Sequence, residues 1–241
     1  MFGWSGIKKK NASLQVDIHS HLIPGIDDGA RTLEDTINII LRYKEIGYTK
    51  AITTPHIHPS YPNDPAMILD GLLAVQGELK RRAIDFELEA AAEYYVDEAF
   101  MEKVRANQTI LSFGDRYVLV ESSFINKPIY FENCLFELKS KGYQPILAHP
   151  ERYKFLEGEI DWLVSLKEMD VLFQVTISSF AGFYGKVPKD IAKKLYKEEY
   201  IDFLGSDMHH ESHLKYMEKG LGTKEVGRLI NSSHLMNKRL L

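Results

Sequence analysis

Asp17, His19 and His21 alternate with Ile18 and Ser20 behind the apolar Leu14 and Val16. On a β-strand, residues two apart share a face, so a strand over residues 14–21 aims three polar side chains the same way. Two neutral imidazoles at that spacing hold one divalent cation, with Asp17 as the outer partner that orients them. Pro24-Gly25 and Asp27-Asp28-Gly29 then end the strand in a loop that carries two more carboxylates to the same point. Taken alone, a His-x-His is equally well a polar pair on a solvated strand face.

The rest of the chain repeats the pattern. His56 closes an apolar run over 50–56, with His58 two residues on. Glu93 lies at the far end of 86–95, His149 at the end of 144–150, and Asp207 and His209 at the end of 202–209. Any one of these is unremarkable as a solvated strand end; five histidines and two acids recurring at the same edge of successive strands argue for a metal site. Imidazole and carboxylate without thiolate suit manganese, iron, zinc or cobalt and tell against a cysteine-type structural zinc site. The donors exceed what one ion needs, so two or three are expected, and clustered cations of this kind hydrolyse phosphate esters. Arg152, just past His149, is placed for a bidentate phosphate contact; its plainer alternative is a surface pair with Glu151. The glycine-bounded loop Gly182-Phe183-Tyr184-Gly185-Lys186 offers Lys186 or backbone N–H groups as a weaker anion contact.

Those positions require a scaffold that presents strand ends together. Apolar strand-like runs alternate with amphipathic helical runs over 33–46, 66–83, 97–105, 129–141, 160–169 and 191–199, the further strands lying at 117–122 and 171–178. The first helix has Ile37, Ile40, Leu41 and Ile46 at helical spacing and stops at Gly47; that over 129–141 has Phe131, Leu135, Phe136 and Leu138 on its apolar side. Repeated units of this length give an α/β fold with parallel strands and helices outside. About seven of them suit a closed barrel, whose site lies at the C-terminal strand ends. No repeat or linker divides the chain, so residues 14–241 read as one domain behind a flexible extension, residues 1–13.

The 241 residues, 44% of them hydrophobic, supply a sizeable core, and a net charge of −4 argues against a nucleic-acid surface. The single cysteine, Cys134, excludes an internal disulfide, fits a reducing, cytoplasmic setting, and among Leu135 and Phe136 reads as a small buried hydrophobe. No apolar run approaches a membrane span, and the first ten residues lack the order of a secretion signal and read as a solubilising tail.

Asp17-Ile-His-Ser-His21, Asp27-Asp28-Gly29, Thr54-Pro-His56, Ala92-Glu93-Tyr-Tyr95, Ala148-His-Pro-Glu-Arg152 and Ser206-Asp-Met-His209 resemble, in order, the motifs of the polymerase-and-histidinol-phosphatase (PHP) superfamily. Within it the chain is similar to the bacterial metal-dependent protein-tyrosine phosphatases of capsule and exopolysaccharide operons. The resemblance implies a distorted (β/α)7 TIM-like barrel, the PHP fold, carrying two or three divalent ions, usually manganese, with iron, cobalt, zinc or magnesium as substitutes. Carried over by position, His19, His21, Glu93 and Asp207 hold one ion; Glu93 bridges to a second held by His149; Asp28, His56 and His209 hold the third. The resemblance further implies a metal-activated hydroxide attacking phosphorus in line, Arg152 on the phosphoryl oxygens, and Asp207 and His209 among the catalytic groups. Relatives often carry an arginine after the Ser-Asp-x-His motif; here the run is His210-Glu-Ser-His213-Leu-Lys215, leaving His213 or Lys215 as stand-ins.

The resemblance implies as substrate a phosphotyrosine-bearing tail of a bacterial tyrosine kinase. The enzymatic alternative is a small-molecule phosphomonoesterase such as a histidinol-phosphate phosphatase; the non-enzymatic one is a metal-binding module, against which the full ligand set argues. Short loops suggest an open mouth, with Tyr94, Tyr95, Phe180, Phe183 and Tyr184 available as ring contacts, although aromatics so placed are more often core. Neither the oligomeric state nor the partner is legible.

Overall fold

The computed structural model describes residues 14–156 and 158–241, so the expected extension, residues 1–13, lies outside them. Chain order is β1 (Val16–Asp17), α1 (Leu33–Ile46), β2 (Lys50–Thr53), β3 (His56–Ile57), α2 (Pro65–Arg81), β4 (Glu87–Ala90), β5 (Glu93–Tyr95) and α3 (Glu98–Arg105). There follow β6 (Tyr117–Glu121), α4 (Phe131–Ser140), β7 (Gln144–Ala148), α5 (Asp161–Glu168), β8 (Leu172–Thr176), α6 (Ile177–Phe180), α7 (Lys186–Lys197), β9 (Phe203–Gly205), α8 (Leu214–Leu221) and α9 (Lys224–Ile230). Helices α1 to α3 begin where polar side chains accept the free N–H groups of a first turn. Thr32 and Asp35 form a reciprocal capping box on α1, Asp64 caps α2 ahead of Pro65, and Asp97 caps α3.

All strand pairing is parallel, in the orders β1-β2-β4 and β3-β5-β6-β7-β8-β9. Two expected strands are each broken in two. The run over 50–56 stops at Thr53 and resumes at His56, and that over 86–95 breaks at Ala91-Ala92, so the first half of each pairs in one sheet and the second half in the other. Pro55 explains the first break, since it cannot donate to a ladder. The first and last strands meet through a parallel bridge, Ser20 to Met208, with Asp207 N donating to His19 O (2.8 Å) and His21 N to Met208 O (2.9 Å).

Alternation along the strands buries both faces. Tyr117, Leu119, Ile146 and Phe203 join Val16, Ile18 and Ile52 in one apolar cluster, while Val118, Val120, Leu147, Phe173 and Leu204 pack in a second with the helices. This is the pattern of a parallel sheet covered by helices. Cys134 is fully buried on α4. Phe136 and Leu41, expected on apolar helix faces, are exposed instead (68% and 41%), since the buried stripes are Phe131, Cys134, Leu135, Leu138 and Ile37, Ile39, Ile40, Tyr43. The strand expected over 171–178 ends at Thr176 because α6 starts there; α7 starts five residues before the expected 191, and α8 and α9 follow the last strand where none was expected.

Beyond α9, Asn237 is fully buried between the first and last strands. Its amide donates to Val16 O (3.1 Å) and Leu204 O (2.8 Å), and its carbonyl accepts from Leu204 N (3.0 Å). Replacing it by alanine leaves three buried backbone groups unpaired, each worth about 1–3 kcal/mol. Asn237→Ala is therefore expected to lower unfolding stability by at least about 2 kcal/mol, read as a lower urea midpoint at unchanged slope.

Candidate metal centre

Strand ends deliver the site. His19 and His21 follow β1, His56 opens β3, Glu93 opens β5, Glu121 closes β6, His149 follows β7, and Asp207 and His209 follow β9. His149 and Asp207 take left-handed backbone angles, φ +35° and +52°. Such angles cost a non-glycine residue roughly 1–3 kcal/mol and cluster at functional sites. They also end the strands: the one expected over 144–150 stops at Ala148, where the chain turns into a short 3₁₀ turn, Pro150–Arg152.

Every expected donor arrives at one place. His19 Nε2 is 3.2 Å from Glu93 Oε2 and 3.5 Å from Asp207 Oδ1; His21 Nε2 is 3.6 Å from each of those oxygens. His149 Nε2 meets Glu93 Oε1 at 2.8 Å. Asp28 Oδ1 lies 3.5 Å from His56 Nε2 and 3.4 Å from His209 Nε2. Four overlapping groups result, each with donor atoms within 4.8 Å of one another: His21, Asp28, His56 and His209; His19, His21 and Asp207; His19, Glu93 and His149; and His56, Glu93 and Glu121.

Tautomers make the fit to cations specific. His19 Nδ1 donates to Gln174 Oε1 and His21 Nδ1 to Asp27 Oδ2, both at 2.7 Å. With the protons there, the Nε2 lone pairs of the two neutral rings face each other at 3.3 Å beside two carboxylates. Among the described residues, buried His56 Nδ1 and Glu93 Oε2 lack hydrogen bonds although 3.2 Å apart. Nitrogen and carboxylate donors converging this closely are what a shared cation satisfies, so the cluster is capable of binding divalent metal ions.

Electrostatics point the same way. Burial alone would raise Glu93, but His19 and His56 outweigh it and hold the carboxyl well below its usual range. Burial likewise opposes ionisation of Asp207, and Arg152 and His19 overcome it. Burial disfavours a charge on His19, yet Glu93 and Asp207 lift it to about 9, so a proton and a metal compete for this ring. His149 is lowered, by burial and then by Arg152.

Arg152 pairs with Asp207 Oδ2, and its guanidinium stands 4.2 Å from the Tyr184 ring centre and 4.8 Å from that of Phe124. Tyr184 donates to the same Asp207 oxygen at 2.9 Å, so the contact from the 182–186 loop is Tyr184, while Lys186 is exposed at the start of α7. Glu151 does not pair with Arg152; it is buried and accepts from Thr176 N (3.0 Å) and Ser179 Oγ (2.7 Å). Tyr94 and Phe180 are core, whereas Tyr95, Phe183 and Tyr184 are part-exposed. His213 stands beside His209 and Phe183, with ring centres 5.9 and 5.0 Å away; Lys215 is exposed.

Asp17 does not orient the imidazoles. It accepts from Ser206 N (2.8 Å), Ser206 Oγ (2.6 Å) and Tyr43 OH (2.7 Å), fastening the segment before Asp207 to β1. Regular strand pairing stops at Asp17, so its carboxylate sits behind the rings, and Gln174 and Asp27 orient them instead. Gln174 and Glu121 went unread as site residues because each is one polar residue in an apolar strand, with no neighbouring motif. Glycine makes room for the cage: a Cβ on Gly29 would lie 2.4 Å from His21 Cβ, and one on Gly205 2.8 Å from His19 Cβ.

Removing an outer partner of a metal-bound histidine weakens metal binding about 10–100-fold. Gln174→Ala is expected to lose affinity for divalent ions by that factor in calorimetric titration, with secondary structure retained. Unchanged affinity would mean that Gln174 does not set the His19 tautomer.

The chain matches the family model described as capsular polysaccharide synthesis, CpsB/CapC, over residues 15–229. It is 29% identical over 231 residues to the tyrosine-protein phosphatase YwqE of Bacillus subtilis (strain 168), covering 92% of this chain and 91% of that one. With the tyrosine-protein phosphatase CpsB of Streptococcus pneumoniae it shares 26% identity over 211 residues, 85% of this chain and 87% of the other. A solved structure from work on YwqE of Bacillus subtilis and CpsB of Streptococcus pneumoniae, described as unique metal-dependent tyrosine phosphatases, superposes with a TM-score of 0.80 at 28% identity and 94% coverage of both chains. With the family model spanning most of its length and the donor cluster in place, the chain belongs to the CpsB/CapC family.

Proposed function

We propose that the protein is a metal-dependent protein-tyrosine phosphatase acting on the phosphotyrosine-bearing tail of a bacterial tyrosine kinase that regulates capsule or exopolysaccharide synthesis. The observation that carries this is the facing pair of His19 and His21 lone pairs beside Glu93 and Asp207, in a chain similar along nearly its whole length to tyrosine-protein phosphatases. The bridge Ser20–Met208 and the Asn237 clasp support reading the strands as a distorted (β/α)7 barrel. Among the described residues no helix is long and apolar enough to cross a membrane; cytoplasmic action follows from the proposed substrate and the lone buried thiol.

In this reading His19, His21, Glu93 and Asp207 would hold one ion, Glu93 and His149 a second, and Asp28, His56 and His209 a third, with Glu121 beside His56 and Glu93, manganese being the expected metal. Bound divalent ions supply Lewis acidity, lowering the pKa of water and offsetting phosphoryl charge. Arg152, paired with Asp207 and held against Tyr184 and Phe124, keeps a fixed fork of N–H donors for the phosphoryl oxygens. Asp207 thus serves two groups, fixing Arg152 with one oxygen and facing His19 and His21 with the other. His209, on the open side next to Asp28, completes the wall that the phosphate meets. A phenolate, conjugate base of an acid with pKa about 10, leaves with less proton assistance than an alkoxide, which suits a site without a dedicated buried acid.

Manganese-reconstituted protein is expected to hydrolyse a phosphotyrosine peptide at far higher kcat/KM than histidinol phosphate and to lose activity on exhaustive chelation. The reverse preference would establish the small-molecule phosphomonoesterase instead. Arg152→Ala is expected to lose about 10²–10³-fold in kcat while keeping its metal content; unchanged turnover would remove the arginine from the reaction.

A further inference from the structure

Two residues beyond the cluster, the same pair of strands builds a second feature. His56 pairs with Glu93 and Ile57 with Tyr94 in register. One step outward, His58 and Tyr95 meet edge to face with ring centres 4.4 Å apart. Residues two apart on a strand share a face and lie about 7 Å apart, so His58 and Tyr95 continue outward the surface that His56 and Glu93 begin. They form one wall of a cavity of about 300 Å³ whose other sides are Ile57, Pro59, Phe100 and the side chain of Lys103. Its frame is rigid: buried Asn63 donates to His56 O and Ile26 O, both at 2.9 Å, and Asp97, capping α3, accepts from Phe100 N at 2.8 Å. A second cavity of about 230 Å³, lined by Val104, Asn107, Arg116 and Tyr143, lies at the opposite strand ends and is not continuous with the site.

We infer that the cavity beside His58 and Tyr95 is a subsite for an apolar side chain adjacent to phosphotyrosine in an extended peptide substrate. This rests on the phosphatase reading above. Continuity with the metal-facing strands argues for the occupant: a peptide that presents a phosphoryl group to the cluster and extends along this strand edge passes these two rings. The lining is mainly hydrocarbon and aromatic, with the opposite charges of Asp97 and Lys103 both among its residues, which favours a leucine- or phenylalanine-sized group.

The test uses the manganese-loaded full chain, phenyl phosphate, and phosphotyrosine peptides with leucine, glycine or lysine flanking the phosphotyrosine. Ala99, exposed and lining the cavity, is changed to tryptophan to fill it; Tyr95→Ala is the second variant. Wild type is expected to prefer the leucine peptide over the glycine one by about tenfold in KM, the worth of burying one such side chain. Ala99→Trp is expected to erase that preference while phenyl phosphate turnover stays within about twofold of wild type. Equal KM values for leucine and glycine peptides in wild type, or a preference that survives in both variants, overturns the inference and leaves the phosphatase reading intact. An Ala99→Trp protein that changes oligomeric state without changing peptide preference assigns the cavity to a second copy and also overturns it. Wild type without activity on any phosphate ester defeats the phosphatase reading first.

Discussion

Glu93 has no exposed surface, and the imidazoles of His19, His21, His56 and His149 come within 3.6 Å of its two oxygens. A carboxylate taken out of water costs several kcal/mol unless its lone pairs are shared, so the molecule around it is arranged to keep His19, His56 and His149 within reach. These rings come from three strands, and only parallel strands ending at one edge bring them together. That requirement accounts for the helix returning the chain between strands, and for the unfavourable backbone angles at His149 and Asp207.

A second layer holds the first in place. Asp17, Ser206 and Tyr43 make a buried knot behind the donors; Gln174 touches both the His19 ring and the His149 backbone amide, the latter at 3.4 Å. Asp17, Ser206 and Tyr43 satisfy one another in that knot, and two aromatic rings flank Arg152. The donors are thus positioned by contacts that do not themselves touch a substrate.

Much of this was legible from order alone. Histidines and acids closing apolar runs carry a local signature, and so do Thr32 and Gly47 at the ends of α1. Residues whose part depends on a distant neighbour carry none: Glu121 and Gln174 acquire meaning only when the fold brings their side chains to His56 and His19, which follow or open strands that are not their neighbours. The strand break at Ala91-Ala92 is hidden for the same reason, because it is a change of partner, whereas Pro55 marks the other break locally. The exposure of Phe136 shows the limit of periodicity, since a helix stripe says which residues align but not where the buried sector stops.

The bond from Asn237 to Val16 spans 221 positions of the chain. A growing polypeptide cannot form it until both Val16 and Asn237 are clear of the ribosome, and His19 and Asp207 lie just past the two strands it joins. The full set of donors is therefore assembled only when the last strand, which leads into Asp207 and His209, has come to lie beside the first.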